Sequence, residues 1–510
     1  MKTFFKRVVL SLVILLLILI AAPLLFIQFG SESSATSAKM LLNVMVGYGI
    51  DSPPAEIIEQ RFVVPEGFSV SPYMSGLGKI RFMHMTSQGD LLVSRPRSGD
   101  VLLLERDANG DGLPDGQRTL LEGLTKPHGL DIADGWLYVA ESTALGKVRF
   151  NQQTASIEGD YQRIVEGLMD DGDHWTKTMG VGPDGWLYLT SGSTCNVCEE
   201  EDSQRATMMR VKPDGSELTI YATGLRNSVG FDWAPWDQSL YATDNGRDLL
   251  GDDFPPCELN KIEQNGFYGW PYINGYGDLD PEFGVGKDDL LTTAISPVYG
   301  FRAHNAPLGM QFLRHTKAPG FEKSALVALH GSWNRSERDG YKVVSLHWQE
   351  DGSIVEKDFL TGFKGEVDVI GRPADVTEAI DGSIYISDDY SSTIYRVAYG
   401  EQAKDLPIHK VAPSVIAEVD PEQALAIYSD EQRLALQQQG EGLYQQYRCG
   451  NCHDPERATA MRPIKELNDL AQRYTVAEMA DFFLAPTPPM PVFPLNEQQR
   501  EAISVYLYPR

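Results

Sequence analysis

ADGWLYVAES at residues 133–142 and PDGWLYLTSG at residues 183–192 carry one pattern: an Asp-Gly turn, a run of apolar and aromatic residues, and a small polar close. Asp-Gly favours a tight turn with positive φ, and the run that follows has strand propensity. The pattern recurs in SQGDLLVSRP (87–96), WDQSLYATDN (236–245), EKSALVALHG (322–331) and IDGSIYISDD (380–389), which makes six copies. Each is followed by a second strand-like run: SGDVLLLERD, GKVRFNQ, ATMMRVKPDG, ELNKIEQNG, GYKVVSLHW and STIYRVAYG. Strand pairs repeating at about fifty residues read as propeller blades, small sheets that bury their faces only by stacking around an axis. A β-sandwich of repeated hairpins is the alternative, and six copies weigh against it. The expected fold is therefore an all-β six-bladed propeller over residues 55–402. The longest interval separates the fourth and fifth copies, so residues 265–323 are expected to form a large loop on the functional face.

Beyond the repeats the character of the chain changes. Residues 403–428, rich in proline and uncharged apolar residues, read as a linker. Helical patterns follow in EQRLALQQQGEGLYQQY, VAEMADFFL and NEQQREAISVYL, the last opening with Asn496 and Gln499 at capping-box spacing. Residues 429–510 are thus expected to be a small all-α domain. Within it, RCGNCH at 448–453 is the C-x-x-C-H pattern of covalent haem attachment, with Cys449 and Cys452 as the thioether positions and His453 as an axial ligand of the iron. At the other end, Lys2, Lys6 and Arg7 precede an uncharged apolar run from Val8 to about Phe29, long enough as a helix to cross a bilayer. Residues 1–30 are read as an anchor rather than a cleaved signal, since the nearest small-residue cleavage position, near Ala38, is distant. The remainder then faces the periplasm.

The formal charge of -27 argues against nucleic acid as a partner, because a phosphate-binding face needs clustered Lys and Arg. Of the five cysteines, two lie in the haem motif, Cys195 and Cys198 form a second C-x-x-C, and Cys257 stands alone. In an oxidising compartment Cys195 and Cys198 could close a small disulfide or remain two loop thiols. DANGDGLPD places Asp107, Asn109, Asp111 and Asp115 in calcium-loop order, a structural calcium site or an acidic turn; the closing acid is absent, since Arg118 stands there.

PTPPMPVFPLNEQQ, ahead of the last helix, resembles the methionine loop of small class I c-type cytochromes, which makes Met490 the distal haem ligand. From about Phe62 to Tyr399, the segments KPHGLDIADGWLYVA, YATGLRNSVGFDW, TDNGRDLLGDDFPPCELNKI, HGSWNRSERDGYKVV and GRPADVTEAIDGSIYISDD resemble the glucose/sorbosone dehydrogenase family, in its L-sorbosone dehydrogenase-like branch. That resemblance implies a six-bladed propeller binding pyrroloquinoline quinone (PQQ) and calcium. It makes His174, in DGDHWTKTMGVGPDG, the catalytic base and Arg226 with Asn227 the pair facing the reactive quinone carbonyl. Arg335 and Arg372 become candidates for the quinone carboxylates, and Gly246, Arg247 and Asp248 form the turn that holds calcium. The family's quinone-binding lysine has no counterpart here, and GRPAD carries one arginine of a paired motif. His128, His304 and His330 lie in similar segments, either shaping a sugar cleft or satisfied within blades.

The expected function is oxidation of a sugar, sugar aldehyde or polyol, with electrons passing to haem c and on to a soluble cytochrome, a cupredoxin, or a membrane oxidase or quinone. Two other readings remain open: a lactonase-like hydrolase, and a carbohydrate- or partner-binding propeller attached to an electron-carrying domain.

Overall fold

The computed structural model describes residues 50–366, 368–400, 425–454, 467, 470–472, 476–483, 493 and 495–509. The chain divides into two units, residues 1–410 and 411–510. In the first, six sheets, each with four antiparallel strands and one extended by a fifth, parallel strand, follow one another as blades. Blade 1 comprises Met83–Met85, Leu91–Arg95, Asp100–Leu104 and Gln117–Leu121, and blade 2 Leu130–Ala133, Trp136–Ala140, Ala144–Asn151 and Ser156–Glu166. Blade 3 comprises Met179–Val181, Leu187–Ser191, Thr207–Val211 and Thr219–Thr223, and blade 4 Phe231–Trp233, Leu240–Asp244, Cys257–Ile262 and Tyr299–Phe301. Blade 5 holds Pro307–Phe312, Ser324–Leu329, Lys342–Trp348 and Ile354–Leu360. Blade 6 takes Pro373–Glu378, Ile384–Asp388 and Thr393–Tyr399 from the end of the propeller and Phe68–Met74 from its start, Phe68 opposite Tyr399.

All six copies of the sequence pattern are second strands, and the runs after them are third strands. The Asp-Gly turn does what its residues favour: Ala133 pairs with Trp136 across Asp134 and Gly135, whose φ angles are 50° and 75°. Two positive φ values give the hairpin turn whose twist matches its strands. Second strands such as Leu187–Ser191 and Leu240–Asp244 are buried at every position, because both faces of a blade are covered by neighbours. The apolar cores accordingly lie between successive blades. Leu91, Val93 and Leu104 of blade 1 pack with Tyr385 and Ile394 of blade 6, and Leu187 and Met209 of blade 3 with Tyr138 and Leu145 of blade 2.

Polar contacts near the axis add to this. The innermost strands of blades 2, 4 and 6 each carry an aspartate that accepts a backbone N–H from the innermost strand of the next blade: Asp131 from Val181 at 2.7 Å, Asp232 from Phe312 at 2.8 Å, and Asp375 from Met83 at 2.8 Å.

Residues 265–323 are not one loop. Tyr299–Phe301 completes blade 4 and Pro307–Phe312 opens blade 5, short strands whose apolar runs are interrupted by Pro297, Gly300 and Gly309. The true insertion lies ahead of Tyr299. It adds Gly266–Phe267 in parallel to the edge of blade 3 and makes a small hairpin of Ile273–Asn274 with Asp278–Leu279.

The second unit is helical: Asp430–Gln446, Gly450–His453, Val476–Phe482 and Glu497–Leu507. Ser429 with Gln432 and Asn496 with Gln499 close reciprocal capping boxes. Its core includes Leu443, Tyr444, Met479, Phe483, Ile503 and Leu507. Gly440 lets two helices meet closely, since a Cβ there would stand 2.2 Å from the Ala502 carbonyl. Cys449 immediately precedes the short helix that carries His453. Met490, the linker as far as residue 424 and the apolar run 8–29 lie outside the described residues. Among the described residues no helix is long and apolar enough to cross a membrane.

Candidate active site

In a blade, the connection from second to third strand and the connection from fourth strand to the next blade leave from one edge, so these loops share a face. Each inter-blade connection brings a candidate side chain there: Lys79 and Arg81 into blade 1, His128 into blade 2, His174 into blade 3, Arg226 and Asn227 into blade 4, His304 into blade 5, and Arg372 into blade 6. The connections inside blades 3 to 6 add Asn196, the Asn245–Asp248 turn, His330 and Asp389.

His174, half-buried, sets its Nδ1 3.0 Å from the Ser193 carbonyl and 2.9 Å from Ser193 Oγ. A carbonyl only accepts, so Nδ1 carries the proton and Nε2 is the basic nitrogen. Arg205 pins the loop from beneath, donating to the carbonyls of His174 at 3.0 Å, Met169 at 2.6 Å and Asp171 at 3.1 Å. Gly192 separates His174 from Asn227: a Cβ there would lie 2.6 Å from Asn227 Oδ1 and 2.7 Å from His174 Cβ. Replacing Gly192 by alanine is expected to cost about 1–3 kcal/mol of stability by overpacking, read from denaturant unfolding; an unchanged midpoint would mean that the two side chains have room to part.

Arg226 is buried, and each nitrogen of its guanidinium has a partner. Nε donates to the Asn196 carbonyl at 2.9 Å, Nη1 to the Asn245 carbonyl at 3.1 Å and Nη2 to Asn196 Oδ1 at 3.0 Å, with Asp248 Oδ2 3.5 Å from Nη2. The carboxylate of Asp244 accepts the amides of Arg226 at 2.8 Å and Asn227 at 2.6 Å, fixing the backbone of the pair. His304 places Nδ1 3.3 Å from Asp248 Oδ1 and Nε2 2.8 Å from the Gly251 carbonyl. Arg247 turns its side chain toward the insertion, with Nη1 2.7 Å from buried Asp280.

A second cluster gathers around Asp389, whose carboxylate meets Arg81 and stands 2.8 Å from His330 Nε2, while its carbonyl accepts Lys79 Nζ at 3.0 Å. Arg372 joins it through the His330 carbonyl at 3.1 Å and the Gly331 carbonyl at 2.9 Å. Arg335 belongs elsewhere: it donates to the carbonyls of Asp252 and Ala303 and pairs with Asp253 at 3.0 Å. His128 is fully buried against Phe82, ring centroids 4.3 Å apart, with its Nδ1 3.3 Å from Thr178 Oγ1. The exposed 107–115 loop is knit by its own side chains, Asp107 accepting the amides of Gly110, Asp111 and Gly112. Cys195 and Cys198 form a disulfide.

A family model described as TrAA12-like matches residues 62–265 and 287–397, the propeller less its insertion. The chain belongs to the TrAA12-like family. Over 362 residues the TrAA12-like chain is 31% identical to a Borreliella burgdorferi protein named only as uncharacterized, covering 68% of this chain and 93% of that one. It is 23% identical to the aldose sugar dehydrogenase YliI of Escherichia coli, covering 55% of this chain and 78% of the relative. Among solved structures, the holo form of the PQQ domain of a Coprinopsis cinerea pyranose dehydrogenase superposes with a TM-score of 0.57 at 20% identity, covering 66% of this chain and 97% of that one.

The electrostatics of the TrAA12-like site are set by burial. Burial and the nearby Arg226 charge lower His174 to about 3, so its imidazole is neutral over the ordinary pH range. Burial and Arg372 hold His330 near 4. Burial opposes charge on Asp389, yet His330 and Arg81 keep its carboxyl far below the usual range. Asp244 and Glu258, paired across adjacent strands, are pushed up by burial, and Glu258 is pushed further by Asp244 beside it. The unfolded chain releases these protons near pH 4 while the folded chain keeps them, so this pair makes stability fall as pH rises from there. Glu258→Gln is expected to flatten that fall, checked by unfolding midpoints from pH 4 to 9; a slope equal to that of the parent would sink the assignment.

Lys79, Arg81, Asp389, Arg205 and Asn196 escaped the sequence reading. Arg81 carries no local signal, since the inner strand it precedes has only three residues.

Proposed function

We propose that this chain is a PQQ- and calcium-dependent dehydrogenase of a sugar, sugar aldehyde or polyol, anchored with its propeller in the periplasm and passing electrons to haem c. The observation that carries the reading is a neutral imidazole at His174, oriented through Nδ1 by Ser193 and separated from Asn227 by only Gly192.

The residues suit the group. Asn227 Oδ1 and Asn245 Oδ1 are buried oxygens without a protein partner among the described residues, and the same face carries a cationic cluster of Lys79, Arg81 and Arg372. Lys79, Arg81 and Arg372 would hold the quinone carboxylates, Arg226 and Asn227 would face its reactive carbonyl, and the Asn245, Gly246, Arg247 and Asp248 turn would offer oxygens to calcium. PQQ with calcium, when bound, supplies the acceptor for the hydrogen and electron pair of the alcohol carbon. His174 Nε2 takes the hydroxyl proton as that carbon is oxidised, while Nδ1–H stays on Ser193. Arg226, already fixed by Asn196 and Asn245, stabilises negative charge without having to move. Support from relatives is consistent: YliI is named an aldose sugar dehydrogenase, and the Coprinopsis structure is named a pyranose dehydrogenase PQQ domain.

For the helical unit the reading rests on Cys449, Cys452 and His453 in sequence, with Met490 as distal ligand. Expression with haem-maturation capacity, reconstitution with PQQ and calcium, and observation of the haem absorption bands during addition of aldoses tests both halves. Haem reduction that needs quinone, calcium and sugar together is the expected result. Haem that responds to a chemical reductant but to no sugar, in a chain that retains no quinone, overturns the reading.

A further inference from the structure

Between the second and third strands of blade 3 the chain makes a small closed turn, the Cys195–Cys198 disulfide with Cα atoms 6.2 Å apart. Asn196 lies inside it and contacts two other loops. Its carbonyl and Oδ1 accept Nε and Nη2 of Arg226 at 2.9 and 3.0 Å. The same Oδ1 accepts the Asp248 amide at 2.7 Å, and Nδ2 donates to the Asp248 carbonyl at 3.2 Å. The base of the turn is tied to the histidine loop, since Ser193 Oγ donates to the Cys195 carbonyl at 2.7 Å and Ser193 engages His174 Nδ1. Glu200 braces the other side, accepting the Thr194 amide at 2.7 Å and its hydroxyl at 2.8 Å.

The remaining contacts of the Arg226 guanidinium, Asn245 and Asp248, both belong to blade 4. The Ser193 amide already holds the Arg226 backbone by donating to its carbonyl at 2.7 Å, and Asn196 is what fixes the guanidinium to the same blade 3 loop. An open four-residue segment would spread over many backbone states, and the disulfide removes most of them. We propose that Asn196 is a positioning residue for Arg226 and for the Asn245–Asp248 turn, held in register by the Cys195–Cys198 disulfide, so that the site is complete only while that bond is closed. Reduction by a dithiol breaks the S–S bond, the dithiol supplying two electrons and two protons and leaving as its own disulfide. The inference deepens the dehydrogenase reading and rests on it for its kinetic consequence alone.

The test is hydrogen exchange by mass spectrometry on the full chain, before and after dithiothreitol, and on the Asn196→Ala and Cys195→Ser/Cys198→Ser variants. Both reduction and Asn196→Ala are expected to speed exchange at residues 245–253 while residues 91–104 stay protected. In turnover, Asn196→Ala is expected to lower kcat about tenfold to thirtyfold with KM little changed, and Asn196→Asp, which keeps both acceptor contacts, to recover most of it. Unchanged exchange at 245–253, or equal acceleration throughout the propeller, overturns the positioning role. Local acceleration at 245–253 in a chain that oxidises no sugar would leave the inference standing and remove the dehydrogenase reading.

Discussion

Replacing His174 by alanine is expected to lower sugar-dependent turnover by about a thousandfold, the middle of the range for loss of a positioned general base. The side chain is half-buried and its Nδ1 is committed to Ser193, so the change removes a basic nitrogen without stranding a charge. Folding and quinone binding should survive, which separates this outcome from collapse of the site. Because His174 is held near 3, no acid limb should appear in kcat around pH 6.5; such a limb would mean that another group is the base. The same lowering has a sign for stability. The unfolded chain takes up a proton near 6.5 that folded His174 refuses, so this residue makes stability fall as pH drops from 6.5 toward 3. Steady-state rates with an artificial acceptor, beside unfolding curves, decide the matter.

Arg372→Ala is expected to weaken PQQ binding about a hundredfold, the scale on which truncating one partner of a buried charge contact acts. Lys79, Arg81 and Arg372 are gathered beside Asp388 and Asp389, and His330, held near 4, contributes no charge. Burial also raises Asp388. Burial lowers Lys79 as well, and the three cations outnumber the two acids, which suits a polycarboxylate. Arg81→Ala should act in the same direction, whereas Arg335→Ala should leave affinity unchanged, because Arg335 is spent on the 252–253 loop. Absorbance titration of the metal-loaded chain with PQQ measures all three; equal affinities across the set would move the carboxylate seat elsewhere.

The propeller was legible where turn chemistry and burial coincide. Second strands announce themselves because Gly135, Gly185 and Gly382 adopt positive φ before runs buried on both faces. Innermost strands such as Met83–Met85 and Phe231–Trp233 have three residues, too few for any period to show. Outer strands such as QRTLL at Gln117–Leu121 expose polar positions and read as loop. Closure of blade 6 by Phe68–Met74 depends on a partner more than three hundred residues away, which no local pattern encodes.

The site divides in the same way. His174, Arg226, Asn227 and Arg372 sit in segments that resemble a known family, and the structure places them on one face. Arg81 and Lys79 could not be read from sequence because their partner, Asp389, lies 308 and 310 positions away. Asn196 carries no local signal, because its partners Arg226 and Asp248 lie 30 and 52 positions away.

The aspartates that join innermost strands occur at alternate junctions, from blade 2 to 3, 4 to 5 and 6 to 1. By this bond the ring has threefold rather than sixfold order: three couples, each a donor blade and an acceptor blade. One couple spans the sheet that contains both the first and last strands of the propeller, so the place where the circle is sewn shut is also reinforced at its hub. The smallest fragment that keeps one of these aspartate clasps intact is a pair of neighbouring blades, and the seam from blade 5 to 6 has a fastening of another kind, since Glu378 accepts the amides of Arg314, His315 and Thr316.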